Sequence, residues 1–214
     1  MYYSKFKKFG GEFIPNIVDY LMEIYEKEPG ITISIGNDSV QKRRRTVYAS
    51  TIVIHNQDIR NGAHVVFYRE SVPKIYDSFT RLYQESEYMR GLGEWLNEKL
   101  EERGFVRNDI TELERKKYKF GMMKERGEFA NLPLHKEEEV IENLVLSDHE
   151  KTRQYKCIDI HVDFNPKEWS DRKRYNKSNK VYEISVPWLR GMGYRVYPKP
   201  LSYAATSAAD LLLK

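Results

Sequence analysis

The stretch Ile31-Thr32-Ile33-Ser34-Ile35-Gly36-Asn37-Asp38 is rich in β-branched residues, reads as a strand, and ends on an acid. Three other acids stand where an ordinary fold would not want a charge. Glu85 falls on the apolar stripe of a long predicted helix. Asp163 closes a second strand-like run, Ile158-Asp159-Ile160-His161-Val162-Asp163. Asp210 lies in a short Ala-rich helix at the end of the chain. Carboxylates facing a core are costly unless they are paired or bound to a cation. Four of them, far apart in sequence and carried by four regular elements, point to one convergent metal site.

Composition sets the frame. The chain has 214 residues, a formal charge of +4 and a sequence pI of about 8.9, a mild basic bias that permits a polyanionic partner without demanding one. That length suits a single domain with its own core. Charged residues make up 32% and mean hydropathy is −0.71. No apolar run approaches the roughly 18 residues of a membrane span. The start, Met1-Tyr2-Tyr3-Ser4-Lys5-Phe6-Lys7-Lys8, lacks the apolar core of a signal peptide. Cys157 is the single cysteine, which excludes an internal disulfide and a Cys-rich zinc site, and it reads as a small buried side chain. A reducing, cytoplasmic setting is expected.

Outward from the first strand, Phe13, Ile14, Ile17, Val18, Leu21, Met22 and Tyr25 recur at helical spacing and predict a leading helix over 12–27, ended by Pro29-Gly30. Gln41 to Arg45 is a basic turn. Val47–Ile54 and His64–Tyr68 are two further strands, with Asn61-Gly62 as a tight-turn signal between them. The three strands form an antiparallel meander. A long helix follows over about 74–103, with Phe79, Leu82, Met89, Leu92, Leu96 and Leu100 on its stripe. Glu85 lies three residues past Leu82 and four before Met89, on the same face. Residues 106–155 are dense in charge and read as an inserted helical excursion. Then come a strand at 157–163, a polar basic loop at 171–180, a helix at 180–192 that Pro187 should open or kink, a short strand at 194–197, and a final helix at 203–213 capped by Ser202.

Three strands, helix, strand, helix, strand, helix is the order of a ribonuclease-H-like α/β fold. It has a mixed five-stranded sheet, made of a three-strand meander plus two crossover strands and flanked by helices. The residues also resemble a family. Ile35-Gly36-Asn37-Asp38-Ser39, Arg81-Leu82-Tyr83-Gln84-Glu85, Ile158 to Asn165, and Lys199-Pro200-Leu201-Ser202-Tyr203-Ala204-Ala205-Thr206-Ser207-Ala208-Ala209-Asp210 look like the YkuK-type family of predicted ribonuclease-H-like nucleases. The closing segment is the most specific of these. Val40 stands where the family usually has Gln, and the insert is longer than in a compact member.

The resemblance implies phosphodiester hydrolysis with Mg²⁺ or Mn²⁺, hard ions that carboxylates hold without cysteines. In that arrangement Asp38 bridges two ions, Glu85 and Asp163 each hold one, and Asp210 completes the second site. His161, on one strand face with Asp159 and Asp163, orients Asp163 or shuttles a proton; otherwise it is a hydrogen-bonded interior histidine. Plainer readings stand beside these. Asp38-Ser39 and Asp163-Phe164-Asn165-Pro166 also suit turns, Glu85 could snorkel or pair with Arg81, and Asp210 could be surface. Lys42, Arg43, Arg44, Arg45 and Lys199 are the candidate nucleic-acid contacts, with Arg172-Lys173-Arg174, Lys177 and Lys180 as further basic positions. Tyr48, Trp169, Tyr175 and Tyr182 could stack on bases or serve packing. No Gly-rich phosphate loop, kinase motif set or zinc spacing accompanies them. The expectation is therefore one domain over 1–214, a metal-dependent nuclease acting on RNA, DNA or a hybrid. The alternative is an inactive nucleic-acid-binding or protein-interaction module whose charged insert is the working surface.

Overall fold

The computed structural model describes residues 5–56, 63–107, 110–129, 131–166, 177–199 and 201–213; for Lys177, Thr206 and Asp210 it describes the backbone alone. The chain divides into two compact units. One is Met1–Val106 with Lys156–Lys214, the other Arg107–Tyr155.

The first unit is built on a mixed sheet. Its strands are β1 (Lys7–Lys8), β2 (Ile31–Gln41), β3 (Arg45–Asn56), β4 (Ala63–Pro73), β5 (Ile158–Val162) and β6 (Arg195–Tyr197), in the order β1-β4-β3-β2-β5-β6. β1 through β2 pair antiparallel along that order, and β2, β5 and β6 run parallel. The described residues thus hold one strand more than the five expected. The extra strand comes from the N-terminus, where the periodicity suggests helix from residue 12. Instead Phe13 bridges Lys7, and Ile14 N–H donates to the Phe6 carbonyl. Asn16 then caps the helix proper, α1 (Ile17–Lys27), through the backbone of Val18 and Asp19. Asn61-Gly62 lies outside the described residues.

Alternation sorts the sheet into two faces. Val66, Ile52, Ile35, Ile160 and Val196 form one continuous row across β4, β3, β2, β5 and β6, because each is paired with the next. On this face sit α1, α2 (Ser78–Glu102) and α6 (Lys177–Gly191), whose Leu21, Met89, Leu92, Leu96, Val181 and Leu189 join the strand residues in the main core. Pro187 falls late within α6 rather than at its start. The residues expected in a loop up to 180 are helical from Lys177.

The opposite face carries Gly36, Asp38, Val40, Ala49 and Thr51. The end of the chain packs on it as a π-helix, Ala204–Ala209, which runs into α7 (Asp210–Leu213). Ala209, Leu212 and Leu213 form a second apolar cluster with Ala49, flanked by Val40, Val47 and Phe67. Gly36 makes this possible: a Cβ there would lie 2.5 Å from the Ala204 carbonyl carbon and the Ala205 nitrogen. Thr51 Oγ1 donates to the Ala204 carbonyl at 2.8 Å and fixes the approach.

The second unit holds α3 (Glu112–Glu125), α4 (Glu137–Asn143) and α5 (Asp148–Thr152). Capping boxes at Thr111/Glu114 and Ser147/Glu150 start α3 and α5. Its basic run serves its own fold. Arg115 donates to the carbonyls of Glu150 and Arg153, and Lys119 pairs with Glu150 at 2.8 Å. Phe120 stacks on Phe129. Among the described residues, no helix of either unit is long and apolar enough to cross a membrane.

Candidate active site

The carboxyl ends of β2 and β5 lie side by side. Their pairing reaches Asn37 opposite Val162, so Asp38 and Asp163 follow as the next residues of two adjacent parallel strands. Glu85 comes from α2 on the other face. It is fully buried, and its Oε1 accepts from Ser39 Oγ at 2.5 Å. Arg81, one turn back on α2, donates to the Ser39 carbonyl at 3.0 Å, to Ser39 Oγ, and to Glu85 Oε1 at 3.5 Å. Glu85 Oε2 is buried with no hydrogen-bond partner. Burial foremost, then the charge of Asp38, push the Glu85 carboxyl well above its ordinary pKa; Asp163 adds to the rise, while the Ser39 hydrogen bond and Arg81 oppose it. Glu85 therefore feels the charge of two of the other three acids singled out by sequence.

Asp38 and Asp163 are also held by the chain itself. Asp38 accepts from the Ser39 backbone N–H at 2.7 Å. Asp163 pairs with Lys199 Nζ at 2.7 Å, so Lys199 is engaged by an acid. Asp210 follows Ala209, which packs with Ala49, the β3 partner of Asp38; its side chain lies outside the described set. Among the described residues, no three His, Cys, Asp or Glu side chains are grouped so as to hold a metal ion. Arg81 and Lys199 supply the positive charge in that region. The donor set is nonetheless all carboxylate oxygen, with an orphaned buried oxygen on Glu85, which suits a hard divalent cation.

His161 sits below Asp163 on β5. It is buried, its Nδ1 accepts from the Ala204 N–H at 3.3 Å, and its ring packs edge-on against Tyr203 at 4.1 Å between centroids. Burial lowers its pKa to about 3, which keeps the imidazole neutral with the proton on Nε2. Asp159, two residues earlier, forms a bidentate pair with Arg195, its β6 neighbour, at 2.8 and 2.9 Å.

The basic positions fall in different places. Lys42 to Arg45 join β2 to β3, only a few residues beyond Asp38 and at the same end of the sheet. Lys42 Nζ donates to the Leu213 carbonyl, while Arg43, Arg44 and Arg45 are exposed. Trp169, Arg172, Lys173, Arg174 and Tyr175 lie outside the described residues, as does the Lys177 side chain. Tyr48 is not a stacking surface. It is 1% exposed, packs on Tyr88 and donates to the Arg81 carbonyl, which makes it a wall of the Glu85 pocket. Tyr182 packs against the main core. Sequence reasoning missed Ser39 as the hydroxyl that holds Glu85. The available signal was its place beside Asp38, facing the opposite side of β2.

With the fold and these acids in place, comparison gives the class. A family model described as Ribonuclease H-like matches residues 13–119, half of the chain, from α1 through the meander and α2 into α3. The chain belongs to the ribonuclease H-like family. The match includes Asp38 and Glu85 and stops before Asp163 and Asp210. Searches of curated proteins and of solved structures returned no match.

Proposed function

We propose that this protein is a divalent-metal-dependent nuclease of the YkuK type, with Asp38, Glu85, Asp163 and Asp210 as the acids that hold Mg²⁺ or Mn²⁺. The observation that carries the reading is Glu85: a fully buried carboxylate beside Asp38 and Asp163, with one oxygen held by Ser39 and the other without a partner. Ser39 and Arg81 meet only one of its oxygens, so its burial is costly, and a cation would offset that cost. The finer family assignment is supported by the closing segment Lys199 to Asp210, whose small residues let the last helix lie directly on Gly36.

Ions bound there would activate water and neutralise the charge that develops on a phosphodiester. The chain's own residues do the rest. Ser39 and Arg81 fix Glu85 Oε1, which leaves Oε2 as the oxygen that could meet an ion. Lys199 balances Asp163 until an ion or phosphate takes its place. His161, neutral and anchored on the Ala204 N–H, braces the strand below Asp163. The exposed Arg43 and Arg44 meet substrate phosphates. A second reading, an inactive module on the same scaffold, is favoured by the Asp163–Lys199 pair, in which the chain neutralises its own acid.

Melting and turnover with and without Mn²⁺ separate the two. Wild type should gain stability with Mn²⁺ by mass action and cleave single-stranded, duplex or hybrid substrate. Asp38→Asn should lose most of both, and Asp210→Asn should lose turnover less completely, because an outer ligand is easier to replace with water than a shared one. Identical responses of wild type and Asp38→Asn to Mn²⁺ would overturn the metal site. Intact nucleic-acid binding without cleavage of any substrate would favour the module.

A further inference from the structure

We infer that the N-terminal hairpin forms a stacking platform for single-stranded nucleic acid beside the acids. The inference rests on the nuclease reading for its choice of occupant.

Residues 6–14 fold back on themselves. Lys8 N–H donates to the Glu12 carbonyl, Gly11 N–H to the Lys8 carbonyl, and Ile14 N–H to the Phe6 carbonyl. Gly11, with φ of 89°, takes the left-handed turn conformation that suits glycine. Phe6 and Ile14 point into the main core, which turns their neighbours Lys7 and Phe13 to the face that carries Asp38. Phe13 is 61% exposed and Phe9 is 51% exposed. Neither is needed to fill the core, and both are placed by specific contacts. Lys7 Nζ lies 4.1 Å from the Phe13 ring centroid, and Phe9 meets Phe67 edge-on at 6.1 Å. Arg69 lies over Phe67 from two residues further along β4.

The register connects this patch to the acids. Asp38 pairs with Ala49, and Ala49 with Arg69, in one row on one face. At about 4.8 Å per strand, Arg69 is about 10 Å from Asp38 along the sheet; the last segment packs on Ala49 and Phe67 in that interval, so a nucleic-acid strand held at the hairpin past β4 would reach the acids over that segment. Gly36, Thr51, Phe67 and Lys7 make the adjacent row. Two exposed phenyl rings, Phe13 beside Lys7 and Phe9 against the Phe67 ring that Arg69 overlies, suit bases stacked on π-faces with phosphates between them. Lys8 is taken by Glu12 at 2.9 Å; Lys7 stands against Phe13, and Arg69 over the Phe67 ring that Phe9 meets. A strand with paired bases hides its π-faces, so the platform selects single strands.

The test is anisotropy of a labelled single-stranded oligonucleotide of about 15 nucleotides, titrated with the full chain in EDTA so that no turnover intervenes. Phe9→Leu/Phe13→Leu should weaken binding at least about tenfold at fixed salt. It should leave the salt dependence unchanged and cost a blunt-ended duplex much less. Phe9→Trp/Phe13→Trp should bind as wild type. Lys7→Ala/Arg69→Ala should lower the slope of log affinity against log salt by about 1.4, two phosphates at about 0.7 each. Wild-type affinity in the leucine variant, an equal loss on duplex, an unchanged salt slope, or no binding by wild type would each overturn the inference. Failure of cleavage with these binding effects intact would sink the nuclease reading alone.

Discussion

At the scale of single residues, Glu85 carries the argument, and its energetics have a sign. Its pKa is raised in the folded state by burial and by Asp38. A raised acid favours the folded state below its unfolded pKa, and that contribution is lost as pH rises through the folded value. Without metal, stability should therefore fall as pH climbs from the ordinary carboxylate value of 4.5 up to the raised folded value. Glu85→Gln removes the titrating group while keeping an oxygen for Ser39 Oγ. In EDTA the variant should melt higher than wild type at neutral pH, by about 2–4 °C for each kcal/mol recovered at this chain length. Its melting temperature should also change less with pH. Added Mn²⁺ should reverse the order, stabilising wild type and not the variant. Parallel pH profiles for the two proteins, measured by calorimetry in EDTA, would show that the buried carboxyl is not strained by its neighbours. The Asp159–Arg195 pair is the contrast: equally buried acid chemistry, fully compensated by a bidentate partner, and so structural.

At the scale of elements, the sequence made most of the sheet legible because its signals are local. The strand at 31–38, the meander, the long helix with Glu85 on its stripe and the strand at 157–163 all appear, displaced by a few residues at their ends. The N-terminal hairpin was hidden because Phe13 and Ile14 also fit the helical spacing of Ile17 and Val18. Only pairing with Phe6 and Lys7 decides against it, and pairing is not a local property. The last segment was legible as a helix but not as a π-helix, since that winding answers to the sheet beneath it. Among the acids, spacing pointed to Asp38, Glu85 and Asp163 together and offered Arg81, four residues before Glu85, as its partner, whereas Ser39 as the hydroxyl that holds Glu85 needed coordinates. Gly36 tests how the sheet and the last segment depend on each other. Gly36→Ala puts a methyl 2.5 Å from two backbone atoms, which cannot rotate away. It should cost about 1–3 kcal/mol and loosen the π-helix, and with it any Mn²⁺ response that needs Asp210. Gly93→Ala is the control, because its methyl meets only side-chain atoms of Tyr194 and Ile35 at 3.3–3.4 Å and gains helix propensity. Equal stability of the two variants would show that the last segment is not held against the strand.

At the scale of the whole molecule, the chain interrupts the sheet unit between α2 and β5 with about fifty residues that fold among themselves. The ends of the interruption are anchored in the sheet unit. Phe105 packs on Tyr25 at 4.6 Å, and Lys156 N–H donates to the Gly193 carbonyl at 2.9 Å. Neither anchor draws on the inserted residues. Arg115, Lys119 and Glu150 tie α3 to α5 inside the insert, which gives it its own polar bracing rather than that of a loose loop. Replacing Arg107–Tyr155 with a short Gly-Ser linker should therefore leave a folded sheet unit, because loop-closure cost changes slowly with length. Its melting curve should stay cooperative, and its response to Mn²⁺ should match that of the full chain, since Asp38, Glu85, Asp163 and Asp210 all lie outside the replaced segment. Substrate preference or capture of a protein partner is what should change. Circular dichroism and Mn²⁺-dependent melting decide it. A shortened chain that does not fold would make the insert part of the core. One that folds but no longer responds to Mn²⁺ would mean that the insert completes the site.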